Sequence, residues 1–311
     1  MAALGRPGYI NLGHGADLPL QKNYAAMEAH AHSVLQYAWE QGIRYFDTAR
    51  SYGAGEAFLS TWLARSKPSE VAIGSKWGYH YTANWQVEAE KHEVKEHSLE
   101  KLRQQWQESH SLLGKFLQLY QIHSATFESG VLRNQAVLQE LASMKEQGIW
   151  VGLSVSGVRQ AAVLEKAASI RIEGVRLFDT VQATYNMLEN SAGNLLEALH
   201  REGMLVIVKE ALANGRLTSK PGAQLSPSQN QLLKALAESH QQPVSTVAMA
   251  WVLDKPWADV VLSGAATKAQ LAENLVAENC LLNPTEIEEI EDTLPEIPAD
   301  YWEKRGKLPW N

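Results

Sequence analysis

Eight times along the chain, a short β-prone apolar run gives way to a longer segment whose apolar residues recur at helical spacing. This alternation constrains the fold more than any other feature. The strand-like runs are 9–12, the run ending at Asp47 within 42–56, 71–75, 116–122, 150–155, 180–183, 205–209 and 260–263. Helical patterns follow at 23–41, 56–65, 91–112, 134–146, 159–168 and 192–201, at 229–240 with 245–253, and from Thr267 onward, with 287–294 as a terminal helix. Strands separated by helices pair in parallel, because a parallel connection must cross the whole sheet. Doubly wound sheets share this alternation, but eight units of roughly 30–40 residues without linker or low-complexity tract favour closure into a (β/α)8 barrel. The expected organisation is therefore one α/β domain over 1–311, with 295–311 a tail of little periodicity.

In such a barrel the reacting groups come from the C-terminal ends of different strands. The stretch GIRYFDTARSYGAGE, residues 42–56, shows how one strand ends: Ile43, Tyr45 and Phe46 give way to Asp47 and a glycine-bearing loop with Arg50 and Tyr52. A carboxylate leaving a packed core is costly without a cationic or hydrogen-bonding partner. Lys76, at the next strand end, is the expected partner. A lysine held there beside Tyr52 should lower the proton affinity of the phenol and suit it to general-acid work. His123 closes the fourth run and can donate a hydrogen bond to the same substrate oxygen.

The remaining chemistry-bearing residues read more plainly. A net charge of −7 argues against nucleic acid and anionic membranes as partners, and neither a signal peptide nor a long apolar span is visible. Cys280 is the one cysteine, which fits a reducing cytoplasm. His30 and His32 share a helix at a spacing that points them apart, and His92, His97 and His110 fall on the polar pattern 91–112 and should be solvated. No metal site is expected. Trp77, beside Lys76, is the expected pocket wall, and the loop 79–84 and the tail 295–311 can fold over the mouth. Arg44-Tyr-Phe-Asp-Thr recurs as Arg176-Leu-Phe-Asp-Thr, which reads as a coincidence of strand chemistry.

GIRYFDTARSYG resembles the strand-and-loop signature of the aldo-keto reductase superfamily, with Ser75-Lys-Trp-Gly similar to its lysine strand and Leu119-Tyr-Gln-Ile-His123 to its histidine strand. Val181-Gln-Ala-Thr-Tyr-Asn186 and 262–274 resemble its nicotinamide and phosphate-loop segments, so the likeness covers nearly the whole chain in order. The resemblance implies NADP(H), with NAD(H) as the alternative, bound across the mouth, and hydride exchange with an aldehyde, ketone or sugar. It implies Tyr52 as acid or base, Lys76 and Asp47 as its support, and His123 as the carbonyl-orienting group. Ser154 and Gln182 would hold the carboxamide, and Ser263, Gly264, Ala265 and Thr267 would receive phosphate at a helix N-terminus. Glu273 and Asn274 would meet the adenine.

Three positions depart from the family's pattern. Val155 replaces an asparagine after the fifth strand, and Lys209 stands where an aromatic residue often stacks on nicotinamide. Gly264 and Gln270 occur where flanking cations often bind the 2′-phosphate, leaving Lys268 and Arg216 as cations for that role. Lys209 reads either as a mouth cation or as a surface partner of Glu210. Two rival functions stand beside the reductase: a Schiff-base lyase using Lys209 or Lys76, and a cofactor-binding regulatory or redox-sensing subunit.

Overall fold

The computed structural model describes all 311 residues. Its strands are β1 (Tyr45–Asp47), β2 (Ala72–Trp77), β3 (Tyr79–Tyr81), β4 (Glu93–Lys95), β5 (Leu117–Ile122), β6 (Trp150–Ser154), β7 (Arg171–Ile172), β8 (Val175–Arg176), β9 (Thr180–Thr184), β10 (Leu205–Lys209) and β11 (Val260–Val261). Seven form one parallel sheet in the order β1-β2-β5-β6-β9-β10-β11, while β3-β4 and β7-β8 are antiparallel hairpins. Neighbours in that sheet follow chain order with no reversal. A doubly wound sheet reverses its strand order at a switch point, so this arrangement is the (β/α)8 barrel and excludes the alternative.

The eighth expected strand, 9–12, does not join the sheet. Its backbone groups are satisfied elsewhere: Leu12 N donates to Asn214 O, Asn214 Nδ2 to Ile10 O, and Tyr9 exchanges hydrogen bonds with Asn311. With donors and acceptors matched by a loop and the tail, the segment gains nothing from pairing with β1 or β11. Ala3, Leu4, Val34, Leu35 and Ala38 line the same cavity as the residues of β1 and β11.

The helices begin where side-chain caps allow. Asn23, Ser98, Asn134, Ser226, Thr267 and Asn283 each accept a hydrogen bond from a backbone N–H in the first turn of the helix that follows. Each such cap contributes about 1 kcal/mol. The expected helix at 91–112 is shortened to Leu99–Leu113 for this reason: Ser98 caps it, and residues 91–97, which have no apolar face, supply β4. The tail contains a helix, Pro298–Gly306, which sequence periodicity left unmarked. The strands and inner helix faces share one core that includes Ile73, Tyr120, Leu153, Val181 and Val206. Trp77 is fully buried in that core and is not a pocket wall.

Candidate active site

The register pairs Asp47 with Gly74, so Lys76 lies two residues farther along β2, on the same face. Gly74 is required there, since a Cβ would overlap Tyr45 Oη. Asp47 Oδ1 receives Lys76 Nζ, and Oδ2 receives Gln182 Nε2 at 2.9 Å and the more distant Gln121 Nε2 and Tyr45 hydroxyl, both at 3.4 Å. Lys76 Nζ also donates to Thr48 O at 2.9 Å. The lysine is 1 % exposed, so the pair is shielded from solvent screening and the expected partnership is present.

Tyr52 sits in the loop after β1, its ring centroid 5.1 Å from Lys76 Nζ and 5.5 Å, edge to face, from the His123 ring. Burial, reinforced by Asp47 and Glu93, holds the phenol well above its ordinary range, and Arg6 opposes this. The sequence expectation of a lowered phenol is thus reversed. The physical reason is that Asp47 matches the charge of Lys76, leaving desolvation to dominate. Tyr52 therefore keeps its proton, as a proton donor must. Burial, then Lys76 and Lys209, hold His123 far below the usual histidine range, so its imidazole is neutral. Its Nδ1 lies 3.4 Å from Ser51 Oγ, and its carbonyl is 3.0 Å from His97 Nε2. His97 is buried and not solvated, because the helix starts after it.

A cavity of about 780 Å³ opens over these groups. Asp47, Tyr52, His123, Ser154, Gln182, Lys209, Ser263, Gly264, Ala265, Gln270, Glu273 and Asn274 all line it. Lys76 lies behind Asp47, while Thr267 caps the helix Lys268–Val276 and Lys268 is exposed at its first residue, both outside the lining. Arg216 departs from expectation: it is 1 % exposed, forms a two-point pair with Glu296 at 2.7 and 2.9 Å, and does not line the cavity. A guanidinium committed to a buried carboxylate has no free fork for a phosphate.

Lys209 lines the cavity and also lies within ion-pair distance of Glu210, so the pairing of one reading occurs at the mouth of the other and not at the surface. Its Nζ donates to Ser156 Oγ at 2.9 Å and Thr184 Oγ1 at 2.8 Å, with Glu210 at 3.7 Å. Burial brings its ammonium down to about 8, with Arg305 and Lys76 adding to the effect against Glu210. Glu210 itself is buried and its Oε1 accepts from Arg305 at 2.7 Å. Burial would raise this carboxyl, but Arg305 and Lys209 outweigh it and bring it to about 2.

The family model for the aldo/keto reductase family matches residues 11–295. The chain belongs to the aldo/keto reductase family. Among curated relatives, it is 24 % identical to an uncharacterised oxidoreductase of Bacillus subtilis over 79 % of this chain and 81 % of that protein. It is 23 % identical to D-threo-aldose 1-dehydrogenase of a Pseudomonas species, covering 94 % and 91 % of the two chains. For pyridoxal 4-dehydrogenase of Microbacterium luteolum the identity is 24 % and the coverage 88 % and 91 %. The fold is shared with the holo form of an aldo-keto reductase from Bacillus halodurans, at TM-score 0.68 and 19 % identity over 88 % of each chain. The chain is therefore an NAD(P)H-dependent oxidoreductase of the aldo/keto reductase family.

Sequence reasoning missed several groups at the mouth of this aldo/keto reductase. Arg6 is 1 % exposed, donates to Ser51 O and Glu93, and lies 5.7 Å from the Tyr52 ring and 4.9 Å from that of Trp310. Lys95 and Lys220 also line the cavity, as do Tyr79 and Arg305 from the two segments, 79–84 and 295–311, expected over the mouth. The tail reaches it through Trp310, which stacks on His92 at 3.9 Å. The signal that was available was the hairpin: alternating residues flank 82–92 on both sides, and pairing them brings Tyr79 and Lys95 together. No local signal marks Arg6.

Proposed function

We propose that this aldo/keto reductase catalyses reversible hydride exchange between a nicotinamide dinucleotide, NADP(H) in preference to NAD(H), and a small aldehyde, ketone or sugar. The observation that carries the reading is the convergence of Tyr52, the Lys76–Asp47 pair and His123 on one end of the sheet. The donor set suits such a cofactor. Ser263 and Gly264 are exposed at the cavity rim, where a Cβ on Gly264 would meet open space, and Lys220 lies along the same lining. Asn11 Oδ1 and Asn214 Oδ1 are buried acceptors without partners on that side. For the carboxamide the candidate is Ser154, which lines the cavity and whose Oγ accepts from Ser124 N at 2.9 Å, whereas Gln182 has already given its NH2 group to Asp47. Glu273, bonded by Ser245, and Asn274, bonded to Ser263 Oγ at 2.8 Å, are the residues for the adenine end. With Arg216 committed to Glu296 and Lys220 paired with Asp17, Gln270 on the lining and the exposed Lys268 remain the candidates near a 2′-phosphate. The bound nicotinamide supplies the hydride.

The chain's own residues handle the proton and the substrate oxygen. His123, neutral and buried, donates to the carbonyl oxygen and fixes its direction. Tyr52 gives its proton to that oxygen as negative charge develops, and Lys76 stabilises the resulting phenolate. Oxidation of an alcohol runs the same path in reverse. Tyr52→Phe should lower kcat by about 10²–10⁴-fold, with NADPH affinity retained in a tryptophan-fluorescence titration. A fully active variant would sink the mechanism. Titrating NADPH against NADH in the same assay tests the cofactor preference, which equal affinities would contradict.

Lys209, lowered to about 8, is the one observation favouring the Schiff-base alternative. Borohydride trapping with a carbonyl substrate would label it in that case. The single half-buried Cys280 supports a cytoplasmic setting, and no helix is long and apolar enough to cross a membrane.

A further inference from the structure

We infer that Lys95 is a specificity-determining residue that selects carbonyl substrates bearing a carboxylate; the inference rests on the reductase reading above and names the substrate class of that same site. Lys95 ends β4, on the hairpin that overhangs the mouth, and lines the cavity. Its Nζ donates to Ser124 O at 2.9 Å and lies 5.2 Å from the Tyr79 ring centroid. The Tyr79 ring is in turn 5.0 Å from that of His123. One aromatic ring thus separates the ammonium from the imidazole that orients the carbonyl.

The neighbouring charges leave this ammonium without a counter-ion. Glu93, two residues earlier, is paired with Arg6, and no carboxylate lies within ion-pair distance of Lys95. An ammonium has three donors, and one of them is used. Across the mouth, Arg305 gives one nitrogen to Glu210 while its buried Nε has no partner. Around Tyr52 and His123 the lining carries Arg6, Lys95, Lys209 and Arg305 against Asp47, Glu93 and Glu210, and Asp47 is paired with Lys76 behind it. A positive balance at the mouth of a chain whose net charge is −7 is a local design, since the whole-molecule field would repel an anionic ligand. The candidate phosphate-binding groups Ser263, Gly264 and Gln270 stand elsewhere on the lining, so the cofactor's phosphates do not account for Lys95.

The test compares benzaldehyde with 4-carboxybenzaldehyde, using NADPH oxidation in the full-length wild-type protein and in Lys95→Met and Lys95→Arg. The expected result is a wild-type preference for the carboxylated aldehyde of tenfold or more in kcat/KM, carried by KM. That ratio should fall at least tenfold in Lys95→Met, survive in Lys95→Arg, and shrink with added salt. Turnover of both aldehydes with a ratio that Lys95→Met leaves unmoved overturns the inference while the reductase reading stands. A lysine that merely holds Ser124 in place would depress both substrates alike and give this result. Turnover of neither aldehyde by the wild type overturns the reductase reading and the inference with it.

Discussion

Asp47 and Tyr52 divide the work that the strand end after β1 makes possible. The carboxylate spends its four hydrogen-bonding contacts on Lys76, Gln182, Gln121 and Tyr45, and Tyr52 is left as the one group of this pair that faces substrate with a proton to give. Lys209 is the residue whose titration falls in the working range. Its ammonium is lost as pH rises through about 8, so any binding that depends on that charge weakens above it. In Lys209→Met the alkaline limb of kcat/KM near pH 8 should disappear, a result read directly from a pH–rate profile with an uncharged aldehyde. Arg216 gives the opposite lesson. With Lys268 it is one of two cations expected near the 2′-phosphate, yet its fork closes on Glu296. Arg216→Met should leave NADPH affinity unchanged and cost about 3 kcal/mol of stability in a urea titration, the low end for a broken buried pair because Lys304 remains on Glu296.

The loop that carries Tyr52 is anchored as an element. Arg50 N donates to Lys76 O, and the Arg50 side chain bridges Glu56 and Glu108. Glu56, 2 % exposed, also accepts from Ser75 and Ser109, so one buried carboxylate ties the loop, the helix after it, β2 and the helix Leu99–Leu113 together. Glu56→Ala would leave Arg50 with Glu108 alone and two buried hydroxyls without their acceptor. The expected outcome is a loss of about 3–5 kcal/mol together with a lower kcat, because Tyr52 is no longer held against His123. Unfolding by denaturant and steady-state kinetics on the same preparation check both halves. The Arg44-Tyr-Phe-Asp-Thr echo shows how position in an element sets a residue's role: Asp47 ends β1 at the mouth, whereas Asp179 precedes β9 at the opposite end, where it pairs with Lys145 and accepts from Val151 N. The same pentapeptide chemistry supports an active centre at one strand end and only the fold at the other.

Across the whole molecule, seven strands in chain order bring residues from 47 to 274 to one cavity, and the tail is fastened over it by Arg305 on Glu210 and Trp310 on His92. The Glu210–Arg305 pair gives the barrel an acid-sensitive fastening. The carboxyl is brought from an ordinary 4.5 to about 2, so its stabilisation is present above pH 4.5 and is lost as pH falls toward 2. Glu210→Gln should be less stable than the wild type at pH 7, and the difference should close between pH 4.5 and 2, as measured by thermal unfolding across that range. By itself, the sequence determined the alternation, the parallel barrel, and the strand-end set Asp47, Tyr52, Lys76 and His123, because hydrophobic period and strand-end chemistry are local properties of the chain. Tertiary structure alone decided that 9–12 pairs with Asn214 and Asn311 and not with the sheet, that Arg216 is committed to Glu296, that Tyr52 is raised and not lowered, and that Arg6 and Lys95 share its mouth. Those outcomes depend on which charges and backbone groups meet across long stretches of chain and on how far water is excluded when they do, and neither quantity is written in any local pattern.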